Sequence, residues 1–70
     1  MDYLFDYVSI LNKIEGAKTL RELSTCEILV GKYIDVYEKY KVTHKYIKLL
    51  INIKNEKKEQ LKEENFNENK

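Results

Sequence analysis

Between positions 23 and 51 an apolar, aromatic or imidazole side chain returns every three or four residues, at Leu23, Cys26, Val30, Tyr33, Tyr37, Tyr40, His44, Ile47 and Ile51. That spacing gathers the whole set on one side of a helix. The rest of the chain has to cover this seam, and the composition says with what. Apolar residues make up 43% and charged residues 36%, with no proline and only two glycines. That is the balance of a helical protein with heavily solvated faces. The fold class expected is all-α.

Seventy residues make one domain, and a small one. Ordering a residue costs about 1.5 kcal/mol, and a core of this size returns little more, so a partner chain or a macromolecular ligand is expected. The single cysteine, Cys26, cannot form an internal disulfide. The opening Met1, Asp2, Tyr3 lacks the basic region and long apolar run of a secretory signal. The longest apolar stretch near the seam, Leu49, Leu50, Ile51, Asn52, Ile53, is far short of the roughly 20 residues of a spanning helix. A cytoplasmic protein without a membrane segment is expected.

Net charge is +1, but it is unevenly placed. Residues 1–38 carry −3, residues 39–62 carry +6 and residues 63–70 carry −2. A concentrated basic block in a near-neutral chain is informative about partners.

Asp2 is placed to cap a first helix over 3–15, with Leu4, Tyr7, Val8, Leu11 and Ile14 on one face and Asp6, Ser9 and Lys13 towards water. Tyr3, Phe5 and Ile10 widen the apolar surface beyond one stripe, which suggests more than one neighbour. Gly16 is read as a left-handed C-cap. Thr19, Leu20, Arg21, Glu22 spell a capping box, in which the Thr19 hydroxyl takes the Glu22 amide and the Glu22 carboxylate reaches back to Thr19. A second helix therefore starts at Leu20. Gly31 within it marks a close helix contact or a slight bend.

An unbroken helix from Leu20 to Glu63 would carry His44, Lys54 and Lys58 into positions where a partner helix wants apolar groups. A break is expected at 40–43, where Val42 and Thr43 are both β-branched and Thr43 can cap the next helix. The third helix then covers 44–62, with Ile47, Leu50, Ile51 and Leu61 inward. The domain is 1–62, followed by a polar, disordered tail over 63–70.

Catalytic chemistry finds little to stand on. Cys26 and His44 are the only soft ligands or nucleophile candidates, whereas a structural zinc site needs about four ligands at short spacings. Carboxylates are spread along solvated faces instead of being paired in an apolar setting. Gly16 and Gly31 stand alone, so no phosphate loop forms. A non-enzymatic chain without metal or cofactor is expected. Phe5 and the tyrosines at 33, 37, 40 and 46 are read as candidate interface residues, because tyrosine concentrates at binding hot spots. Half-buried core packing with hydroxyls at the boundary is the competing reading, and the favoured one for Tyr33 and Tyr37.

The run over 34–50, IDVYEKYKVTHKYIKLL, resembles the helix-turn-helix of DNA-binding regulators. Val42, Thr43, Ile47 and Leu50 match its buried and capping places, while Tyr37 stands where alanine is usual and Lys41 where glycine is usual. The resemblance implies that His44, Lys45 and Lys48 face the major groove. It leaves Lys39, Lys41 and Lys54 for phosphates, and Thr43 at the start of the recognition helix.

The expectation is thus a bundle of three helices, a short first helix on a helical hairpin. It is homodimeric, through the face of Tyr33 to Tyr40 or the spare apolar surface of the first helix. The function expected is a small DNA-binding transcriptional regulator. The Lys, Asn and Ile bias suits an AT-rich bacterial or phage genome. The second reading is a phage-type inhibitor or adaptor that blocks a host protein through a helical surface.

Overall fold

The structure, a computed structural model, describes the backbone of residues 2–68 and the side chains of residues 2–63. It is all-helical among the described residues. The elements are α1 (Tyr3–Gly16), α2 (Leu20–Tyr37), a 3-10 turn (Lys41–Thr43) and α3 (His44–Glu68). At 1.5 Å per residue the three helices are about 21, 27 and 37 Å long, while the molecule measures 46 × 15 × 15 Å. None of them fits across the short axes. All three therefore run along the long one, up, down and up again.

Local chemistry sets the helix ends. Asp2 accepts the Phe5 amide at 2.9 Å and opens α1, and Thr19 accepts the Glu22 amide at 3.1 Å and opens α2. Two expectations about these ends need correction. The Glu22 carboxylate takes the amide of Lys18, at 3.4 Å, because the extended Thr19 backbone (φ −135°, ψ 160°) brings the preceding N–H round. Gly16 is not a left-handed cap: no described glycine has positive φ, and α1 ends on extended Ala17, whose amide reaches the Ile14 carbonyl at 3.2 Å. Ala17 itself is buried, so the chain turns by tucking a small apolar residue under the bundle.

Gly31 also departs from expectation. It lies on the exposed side of an uninterrupted α2, and a Cβ there would meet no atom within 4 Å. It marks no close helix contact.

The α2 half of the seam is the centre of the core. Leu23, Cys26, Val30, Tyr33 and Tyr37 are all buried, joined by Ile10, Ile14 and Ala17 from the α1 segment and by Leu50 and Leu61 from α3. Ile47 and Ile51 are half-buried at its edge. The inward face of α1 is rotated from the one expected. Tyr3, Tyr7, Ile10 and Ile14 meet the core, while Leu4 and Val8 are 46% and 47% exposed. Asp6, expected to face water, is half-buried and accepts the Tyr37 hydroxyl at 2.5 Å.

At the 40–43 break the chain does turn. Thr43, 1% exposed, shares its hydroxyl proton between the carbonyls of Tyr37 at 2.5 Å and Tyr40 at 2.7 Å. Tyr37 ends α2 and Tyr40 lies in the link after it, and each carbonyl also accepts an amide of the turn, from Tyr40 and Thr43 respectively. After it α3 continues helical to Glu68, beyond position 62, where a polar tail was expected. Positions 69 and 70 lie outside the described residues. From this turn, which lies within the 34–50 run that resembles a helix-turn-helix, α3 folds back along α2. Val42, placed by that pattern among the buried residues, is 53% exposed.

Candidate functional site

The turn end of the bundle gathers the aromatic residues. Tyr46 of α3 meets Tyr7 and Tyr3 of α1 at ring-centroid distances of 4.9 and 5.8 Å, and Tyr33 packs on Tyr37 at 4.6 Å. The Tyr33 hydroxyl donates to the Tyr3 carbonyl at 3.2 Å. Burial raises the Tyr33 phenol above its ordinary range. Tyr37 is pushed up to about 12, chiefly because its hydroxyl is held by the Asp6 carboxylate. Both belong to the core, the reading favoured for them over a place at an interface. Of that set Phe5 is 68% and Tyr40 41% exposed, and Tyr46 is half-buried. An apolar recess of about 240 Å³, lined by Tyr3, Tyr37, Tyr40, Val42 and Thr43, opens at this end.

The candidate DNA contacts divide the same way. Lys41, Lys45 and Lys48 are exposed at helical spacings of four and three, hence on one flank of the 3-10 turn and the first two turns of α3. His44 is exposed beside them, but its Nε2 lies 2.6 Å from the Glu38 carbonyl. A carbonyl can only accept, so Nε2 carries the hydrogen and is committed to the turn. Thr43 leaves the set, because its hydroxyl is buried and spent on α2. Lys54 leaves it too: its ammonium lies 3.5 Å from Glu27 of α2, a carboxylate it shares with Lys58 at 3.8 Å. Lys39 and Lys45 lie over the rings of Tyr40 and Tyr46 at 5.4 and 5.1 Å.

Two further residues continue the lysine flank. Asn52 and Asn55 are exposed and come four and seven positions after Lys48. The signal for them was in the sequence: residues 39–55 contain five lysines and a histidine but no acid. Acidic side chains return only at Glu56 and Glu59. The exposed flank of early α3 through Lys41, Lys45, Lys48, Asn52 and Asn55 consequently carries positive charge and no acid.

Cys26 and His44 do not meet. Glu27, next to Cys26, pairs with Lys54, which is ten residues and so about 15 Å along α3 from His44. Cys26 is buried and its thiol is pushed up by that burial, the opposite of an activated nucleophile. Among the described residues no group of three His, Cys, Asp or Glu side chains is placed to hold a metal ion. No described helix is long and apolar enough to cross a membrane. Compared with known families, curated proteins and solved structures, the chain matches none of them.

Proposed function

We propose that this chain is a non-enzymatic DNA-binding regulator that lays the exposed flank of early α3 along duplex DNA. One observation carries the reading: Lys41, Lys45 and Lys48 stand in line on an acid-free surface that Asn52 and Asn55 extend. Lysines neutralise phosphates as point charges, and counterion release supplies the affinity. The two asparagines can both donate and accept, as base edges in the major groove require. Since α2 lies behind α3 and not across it, the helix approaches lengthwise, with the lysines on the backbone.

Titration of a labelled duplex at increasing salt tests this. Micromolar binding at low salt is expected, with a log–log salt slope of about −0.9 for each phosphate contact. Changing Lys41, Lys45 and Lys48 together to Glu should abolish it while helicity is retained. No binding at low salt and micromolar protein overturns the reading.

The recess at the turn end favours a second one, an inhibitor or adaptor that seats an apolar side chain of a host protein between Tyr40 and Val42. Here the lysine reversals leave binding intact and Val42→Asp removes it.

A further inference from the structure

We propose that the α1–α3 side of the bundle is a self-complementary surface that pairs two copies of this chain about a twofold axis, with their helices antiparallel. On α1, Leu4, Val8, Leu11 and Glu15 recur at intervals of four, three and four residues, which makes one stripe. On α3, Lys45, Leu49, Asn52 and Glu56 recur at the same intervals. Both stripes flank one groove: Tyr7 stacks on Tyr46 near its start, and Ile14, Glu15, Ile53 and Glu56 line it near its end. Each stripe spans about 16 Å.

The middle of this surface is apolar and unpartnered. Leu4, Val8 and Leu49 are 46%, 47% and 44% exposed, with Leu11 half-buried between the first two and the α3 stripe. Its ends have opposite sign: exposed Lys45 at the start, and at the finish exposed Glu15 and Glu56, which outnumber Lys57, the cation that shares their groove and donates to the Glu15 carbonyl at 3.0 Å. A twofold axis through the apolar middle brings Lys45 of each copy to the glutamates of the other, and sets the α1 dipoles antiparallel. A parallel pairing stacks like charges at both ends. This is the pattern of an isologous interface, in which one patch must fit itself. A second copy therefore fits this face on polarity and charge. Lys45 and Asn52 belong both to this stripe and to the flank proposed for DNA, whereas Lys41 and Lys48 lie outside the stripe, so reversal of Lys41 and Lys48 alone separates DNA binding from pairing.

Sedimentation equilibrium of the full chain is the test. A dimer at micromolar concentration is expected, and Lys45→Glu alone, or Glu15→Lys with Glu56→Lys, should weaken it about tenfold. All three changes together should restore it, because they exchange the charges across the axis. These residues lie outside the core, so the variants keep their helicity by circular dichroism. A wild-type chain that stays monomeric overturns the proposal, including the case in which the face serves a foreign helix. So does a triple variant that fails to recover.

Discussion

Tyr37 concentrates the demands made on single residues here. Its ring lies in the core, its hydroxyl holds Asp6 on α1, and its carbonyl receives the Thr43 proton. Tyr37→Phe keeps the ring and removes the donor, so a lower urea midpoint is expected, by the worth of one hydrogen bond to a charged acceptor. The phenol also makes stability depend on alkaline pH. Its folded pKa, about 12, lies above the value near 10 of an unfolded tyrosine. Stability from this group is therefore full below pH about 10 and falls as pH rises towards 12. Thermal melting followed from pH 8 upward should show the decline begin near 10, and Tyr37→Phe should blunt it. Gly31 makes the opposite case. With helical φ and open space around its missing Cβ, Gly31→Ala should stabilise the protein by about 0.5–1 kcal/mol, read as a raised Tm.

Among the elements, α2 was the most legible and α1 the least, for a physical reason. In α2 one stripe is apolar, and the opposite side carries Arg21, Ser24, Lys32 and Asp35, so the period leaves one choice. In α1 the stripes through Tyr3, Tyr7, Ile10, Ile14 and through Leu4, Val8, Leu11 are nearly equal in apolar character, and periodicity cannot rank them. Contacts far away in sequence decide: Asp6 meets Tyr37, and Tyr3 meets Tyr33 and Tyr46. The lysine flank of α3 was legible from charge, since no acid interrupts it. The roles of Thr43 and Lys54 were not, because both are set by partners on α2. α3 depends on few wholly buried side chains, Leu50 at 0% and Leu61 at 4% exposure. Leu50→Ala should cost about 2–5 kcal/mol, a large share of the roughly 4–10 kcal/mol available to a chain this short. Loss of cooperative melting near room temperature is the expected outcome. The Glu27 pairs matter less: partly exposed, they contribute about 0–1 kcal/mol, and Glu27→Gln should shift the urea midpoint only slightly.

At the scale of the molecule, the pairing proposed for the apolar excess that α1 leaves outside the core would make stability a function of concentration. If pairing is coupled to folding, Tm rises with protein concentration, and calorimetry over a hundredfold range of concentration should show it. In the Lys45→Glu variant that dependence should flatten while the dilute-limit Tm stays put.

The up, down and up course, with links of a few residues, also sets how quickly the structure can be reached. Each helix packs on its neighbour in the chain, and although α3 closes on α1 across a longer stretch, as in the Tyr7–Tyr46 pair, most native contacts are local. Domains of that kind fold in microseconds to milliseconds. With no proline in the chain, no slow peptide-bond isomerisation can hold a fraction of molecules back. Refolding from urea should therefore run to completion in one fast exponential, with no phase on the scale of tens of seconds in stopped-flow fluorescence of its tyrosines.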